Sequence, residues 1–359
     1  MIVKLILVIF FLFGVSSVLN FYFKQKIKLM NSVLSFKRKT NFFDGKNIDY
    51  NLIYVPHHQT NWSLNPYYKN KFSKHLSHTD EGFRKVDDKN SLIETIKELK
   101  NKKKIICIGG STTHCVEMDN YEDTWPSVLN RILGKKNFQV FNFGVGGWGT
   151  AQSINRLIYW STLIKPDLII FYQAKNDLTP FANINQIEKI YPDFQNNINQ
   201  FSQSFRFNIP KFFFLIPFFK LFYYYIVFKP LFEHNGLLDI YNPKAELNTE
   251  GLNRIEEHNL DSIFLRIETI FNFTNFYNCK LLYIPEILQD GAYKNFLKEK
   301  IYPVVKNNLS KKYKNVRYVE YFEEIERDTS NFVDKMHFSK KGNNFFANIL
   351  LNKVLEILK

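Results

Sequence analysis

The chain has 359 residues, of which 45% are hydrophobic and 17% aromatic, with 37 Phe and 20 Tyr. This composition excludes a disordered chain and suffices for a large packed core with appendages. Lys and Arg number 48 against 34 Asp and Glu, a net charge of +14, but the lysines are scattered and no nucleic-acid module stands out, so a nucleic-acid partner is not expected. Three widely spaced cysteines form neither a metal pattern nor a disulfide framework.

Leu5 to Leu19 is an almost unbroken apolar run behind Lys4, and Phe21 to Phe23 extend it. At about 1.5 Å per residue it is just long enough to cross a bilayer. Val15-Ser16-Ser17 offers small residues for signal-peptide cleavage, but no clean site precedes a polar mature start, so residues 1–23 read as a single-pass membrane anchor. Orientation cues conflict. Lys24, Lys26, Lys28, Lys37, Arg38 and Lys39 follow the span and by the positive-inside rule favour the cytoplasm, whereas export favours the outside, and the preferred reading is an extracytoplasmic catalytic domain.

Residues 24–78 read as a linker and approach segment. His57-His58 lies in it without carboxylates at ligand spacing and reads as surface. Thr79-Asp80-Glu81-Gly82-Phe83-Arg84 reads as a turn packing on a domain edge. Ser91 to Lys100 has helical spacing, and Ser91-Leu92-Ile93-Glu94 resembles a capping box.

Lys104 to Ile108 is a short apolar, β-branched run that ends in Gly109-Gly110-Ser111, as a buried parallel strand ends at the edge of a sheet. Thr124 then caps an amphipathic helix with Pro126 in its first turn. A second strand, Phe138 to Phe143, runs into Gly144-Val145-Gly146-Gly147-Trp148-Gly149, and a helix follows from Gln152 to Leu163. A third, Asp167 to Tyr172, ends at Gln173-Ala174-Lys175-Asn176-Asp177. The pattern resumes with a helix over Asp261 to Tyr277, strands at Lys280 to Ile284 and Val316 to Val319, and a last helix over Lys340 to Leu358. Recurring strand, polar turn and helix predict an α/β fold with a doubly wound parallel sheet.

Residues 181–260 interrupt this alternation as an insertion. Its aromatic stretch within 205–232 includes Phe212-Phe213-Phe214 and Tyr223-Tyr224-Tyr225. A cap over the site is the preferred reading, and an interfacial membrane element is the alternative.

Three strand ends and one C-terminal loop carry groups that nucleophilic catalysis needs. A serine hydroxyl is a weak nucleophile until a base takes its proton. Asp334-Lys335-Met336-His337 places a carboxylate three residues before an imidazole, where it can fix the tautomer and leave the other nitrogen as base for Ser111. Gly147 offers a backbone N–H and Asn176 a side-chain amide to a developing oxyanion. His114 and Cys115 lie close to Ser111, but His114 has no acid partner at a short spacing and Cys115 reads as packing. Singly, Ser111 reads as a helix cap, Asn176 as a turn residue and His337 as a surface histidine; their joint occurrence favours chemistry.

In this order the segments resemble the four blocks of the SGNH hydrolase (GDSL-type esterase) superfamily: Gly109-Gly110-Ser111, Gly147, Asn176-Asp177 and Asp334-Lys335-Met336-His337. The resemblance covers about residues 79–355 outside the insertion, within a hydrolase domain read as 79–359, and is greatest to the branch with an Asn/Asp-x-x-Gly-Phe-Arg segment before the serine, where Thr79 takes the first place. Gly110 replaces the usual aspartate, and Ala174 stands where a glycine often precedes the Asn-Asp pair. The resemblance implies a flavodoxin-like three-layer α/β/α sandwich with a central parallel sheet, a triad of Ser111, His337 and Asp334, and an oxyanion hole of the Ser111 and Gly147 N–H groups with the Asn176 side chain. It implies no metal or organic cofactor. The expected function is hydrolysis of a carboxylic ester on a small molecule, lipid or surface glycan. Transfer of the acyl group to a surface polysaccharide by the same triad is the rival, and a catalytically silent glycan-binding module is a third reading. The sequence leaves the oligomeric state open.

Overall fold

A computed structural model describes residues 53–182 and 252–359, apart from 58–59, 67, 70–76, 100, 135, 253–254, 256 and 290. The anchor expected over 1–23 and the aromatic stretch of the insertion lie outside these residues. Among the described residues, no helix is long and apolar enough to cross a membrane.

In chain order the strands are β1 (Tyr54–His57), β2 (Asn61–Leu64), β3 (Lys103–Gly109), β4 (Phe138–Asn142), β5 (Leu168–Tyr172), β6 (Lys280–Ile284) and β7 (Val316–Tyr318). The helices used below are α1 (Leu92–Lys97), α2 (Ser111–His114), α3 (Trp125–Leu133), α4 (Thr150–Ile164), α5 (Lys175–Ala182), α6 (Glu257–Phe276), α7 (Gly291–Phe296), α8 (Glu323–Arg327) and α9 (Lys340–Leu358). Beyond α7 the chain stays helical to Lys312 through π turns at Leu297–Ile301 and Val305–Leu309. The sequence reading did not foresee this segment.

Five strands pair in the order β4-β3-β5-β6-β7, and every pair is parallel. The order reverses at β3, which has β4 on one side and β5 on the other, so the carboxyl end of β3 is the switch point where open α/β sheets bind ligands. The strands read as continuous apolar runs because both faces are covered. Ile106 and Ile108 of β3 point to a core shared with Leu157 of α4 and Ile267, Ile270 and Phe271 of α6. Ile105 and Cys107, one step out of phase, point to a second core with Trp125 and Val128 of α3 and Phe346, Leu350 and Val354 of α9. Burying each large apolar side chain contributes about 1.5–3 kcal/mol, so the two layers clamp the sheet and fix its edges.

The β1–β2 hairpin lies in the region read as an approach segment, yet it packs against the glycine loop after β4. Trp62 donates its indole N–H to the Gly146 carbonyl at 3.0 Å, and Trp148 donates its own to the Trp62 carbonyl at 3.1 Å. Residues 79–84 are likewise more than an edge loop. The Glu81 carboxylate caps α1 by accepting from the Leu92 and Ile93 N–H groups and the Ser91 hydroxyl. Ser91 accepts from the Glu94 N–H, so half of the expected capping box forms, while Glu81 takes the N–H groups of the first two helical residues instead. Arg84 is buried and donates to the Met118 carbonyl at 2.6 Å.

Candidate active site

β3 ends at Gly109, and Ser111 opens the short helix α2 directly after it. Gly110, not Ser111, is the N-cap, so the serine side chain is not consumed in capping. Its hydroxyl lies 2.8 Å from His337 Nε2. Asp334 Oδ2 lies 2.7 Å from His337 Nδ1, while Oδ1 accepts from the backbone N–H groups of Met336 and His337 at 2.8 and 2.7 Å. The loop is thus folded around the carboxylate. An ionised carboxylate only accepts, so Nδ1 carries the proton and Nε2 offers its lone pair to the Ser111 O–H. Ser339 begins α9 by accepting from the Gly342 N–H, which anchors the loop to the layer behind the sheet.

Burial raises the Asp334 carboxyl, but hydrogen bonds from His337 outweigh it and leave its pKa below the ordinary value. For His337, burial pushes the pKa down, yet Glu117 and then Asp334 more than compensate, and the net direction is up.

The glycine loop after β4 and the turn after β5 converge on the same point. A β-carbon on Gly146 would stand 3.8 Å from Ser111 Cβ. Gly147 adopts a φ of 77°, a left-handed conformation that glycine tolerates without strain. The Asn176 amide donates one N–H to the Trp148 carbonyl at 2.9 Å, which aims the group and leaves its second hydrogen for another acceptor. Asp177 turns the other way. Buried, it accepts from the Thr150 N–H and hydroxyl at 2.8 and 2.6 Å and tethers the start of α4. The structure therefore gathers Ser111, Asn176 and the Gly146-Gly147 turn at the sheet edge, with Asp334 and His337 hydrogen-bonded onto Ser111.

Two groups that sequence reasoning missed are acidic. Buried Glu286 lies just beyond β6. It accepts from the Thr112 hydroxyl at 2.9 Å and from the Ala174 and Lys175 N–H groups at 3.0 and 2.7 Å, bracing the tips of β3 and β5. Glu117 is also buried, with Oε1 at 3.3 Å from His337 Nε2. No local pattern marks either residue, because their partners are distant in the chain or set by the fold.

Cys115, His114 and His57 lie outside the hydrogen-bonded chain from Ser111 through His337 to Asp334. Cys115 is buried and its thiol pKa is pushed well up by burial. His114 is buried against His78, with their Nε2 atoms 3.3 Å apart, and burial holds its pKa well below the ordinary value. His57 pairs with the Thr60 hydroxyl at 2.9 Å. Among the described residues, no cluster of three or more His, Cys, Asp or Glu side chains is placed to hold a metal ion.

A serine hydroxyl hydrogen-bonded to a buried imidazole that a carboxylate orients, at the switch point of a parallel sheet, suits nucleophilic attack on an acyl group. The chain belongs to the GDSL-like lipase/acylhydrolase family, whose profile matches residues 105–350, and it is a hydrolase acting on ester bonds. Similar solved structures include a lipase/acylhydrolase from Enterococcus faecalis, at 13% identity over 70% of this chain and 95% of that one, with a TM-score of 0.40. An acetyl xylan esterase, AlAXEase, is 12% identical over 70% of this chain and 99% of its own, with a TM-score of 0.40. A catalytic mutant of an acetylxylan esterase from Geobacillus stearothermophilus is 13% identical over 71% and 94%, with a TM-score of 0.40. No curated protein sequence matches the chain.

Proposed function

We propose that the chain is a serine esterase that cleaves a carboxylic ester, of an acyl or acetyl group carried on a lipid or glycan, through an acyl-serine intermediate. The observation that carries this reading is the hydrogen-bonded chain from Ser111 Oγ through His337 to Asp334. His337 Nε2 takes the Ser111 proton as Oγ bonds to the ester carbonyl carbon, and the carbonyl electron pair moves onto oxygen. The Ser111 and Gly147 N–H groups and the Asn176 amide receive that oxyanion. The imidazolium then gives its proton to the leaving alkoxide. Water repeats the sequence on the acyl-enzyme and frees the serine. Asp334 holds the imidazole in its productive tautomer throughout.

In this reading the apolar run Leu5 to Leu19 anchors the enzyme to a membrane, with the catalytic domain outside the cytoplasm. Protease digestion of intact and lysed cells tests the side, and protection of the domain in intact cells would reverse it.

Labelling by a fluorophosphonate probe tests the chemistry. The parent protein is expected to label, and Ser111→Ala and His337→Ala are expected not to. A folded parent that stays unlabelled would sink the activated-serine reading.

A further inference from the structure

Glu117 sits beside the base but outside the Ser–His–Asp chain. Its side chain is 2% exposed, and its Oε1 lies 3.3 Å from His337 Nε2. The same nitrogen is 2.8 Å from Ser111 Oγ, which holds the aligned position. Among the described residues Glu117 Oε1 has no hydrogen-bond partner. A buried carboxylate oxygen without a donor is costly, and sites that keep one generally have a use for it. Here the oxygen faces the one nitrogen that becomes positively charged during catalysis.

We propose that Glu117 is a second acidic partner of His337, a positioning residue that stabilises the imidazolium formed when Ser111 gives up its proton. The proposal rests on the serine-hydrolase reading above. Asp334 supports the ring from Nδ1, and Glu117 supports it from the Nε2 side, where the proton arrives. The interaction needs no alignment, because charge attraction depends on distance, and burial strengthens it. It favours the transition state, where the ring is charged, over the resting state, where it is neutral.

The surrounding charges are consistent with this role. Burial raises the Glu117 pKa to about 7 despite His337 and Arg84, which lower it, and Asp334 adds to the rise. His337 faces Glu117 and Asp334, which raise its pKa, and Lys175, which lowers it. Buried His114 also interacts with His337, and buried Cys115 with Glu117. On the proposal the two groups titrate as a coupled pair. Above the Glu117 titration the carboxylate is charged and the base is strong; the same charge keeps the ring protonated to higher pH and lifts the acid limb of activity.

The test compares wild type with Glu117→Gln, an isosteric change that removes the charge. Two readouts are followed across pH 5 to 9: kcat/KM on p-nitrophenyl acetate and the rate of fluorophosphonate labelling. The acid limb is expected to move down by about one pH unit, and the high-pH plateau to fall about tenfold through kcat with KM little changed. Glu117→Asp, which keeps the charge, should stay closer to wild type than Gln does. An unmoved acid limb with an unchanged plateau would overturn the proposal while leaving the esterase reading standing. Absence of wild-type labelling at every pH would instead remove the esterase reading. Should Glu117→Gln not fold, an NMR titration of the His337 ring in Ser111→Ala decides. Two inflections support the coupled pair, and a single one overturns it.

Discussion

Gly110 and Asn176 approach closely: a β-carbon on Gly110 would stand 2.4 Å from Asn176 Nδ2, so a side chain there has to displace the amide. Gly110→Ala is expected to push the amide out of line. Since loss of one oxyanion donor costs about 10²–10³ in turnover, kcat should fall by up to that factor. Steady-state kinetics with unchanged thermal stability would support a site effect, and near-normal kcat would count against it.

Glu286 accepts three hydrogen bonds, from Thr112 in α2 and from Ala174 and Lys175 where β5 turns into α5. Glu286→Gln turns one acceptor into a donor against these donors. A buried donor left unsatisfied costs about 1–3 kcal/mol, which urea denaturation should register as lower stability. Activity should fall as well, because the Asn176 turn loses its brace. An unchanged midpoint would show that the brace carries no stability.

The hairpin offers a test of positioning at a distance. Trp62→Phe keeps a ring over Gly147 but removes the donor to the Gly146 carbonyl. Displacing a catalytic loop by about 1 Å can cost on the order of 10²-fold, so kcat is expected to fall tenfold or more while KM changes little. A rise in KM alone would place Trp62 in substrate binding instead.

Buried histidines set a pH slope of stability. Burial, then Arg84, hold the His78 pKa at about 3, and burial holds that of His114 well below 6.5. Both stay neutral in the fold and take up a proton below pH 6.5 only when the chain unfolds. Their stabilising contribution is thus full above pH 6.5 and falls with acid, by about 1.4 kcal/mol per pH unit for each histidine. Glu117 runs the opposite way. Its raised pKa favours the folded state in acid, and that contribution is lost as pH rises from 4.5 through about 7. His78→Asn should flatten the acid slope between pH 6 and 4.5 relative to wild type, as measured by urea denaturation. Parallel slopes would contradict this assignment.

Much of the α/β architecture was legible because a parallel sheet covered on both faces writes its strands as short apolar runs. Lys104 to Ile108 and Asp167 to Tyr172 show the pattern, and each run stops where the backbone reaches the edge. The candidate site was legible for the same reason: Ser111, Gly147 and Asn176 follow the strand ends, and Asp334 and His337 share one short loop. The helical segment after α7 escaped notice because its π turns disturb the 3.6-residue period. Arg84, Glu117 and Glu286 escaped because their roles depend on contacts. Glu286 meets a threonine 174 positions away, and nothing in its own neighbourhood records that.

In the proposed mechanism the serine and its base stand 226 residues apart in the chain. During synthesis the nucleophile emerges long before the imidazole that activates it, and that imidazole is set in place only when α9 seats against α3. On that mechanism a nascent chain carries a dormant hydroxyl, and its reactivity would switch on only with the closing of the fold.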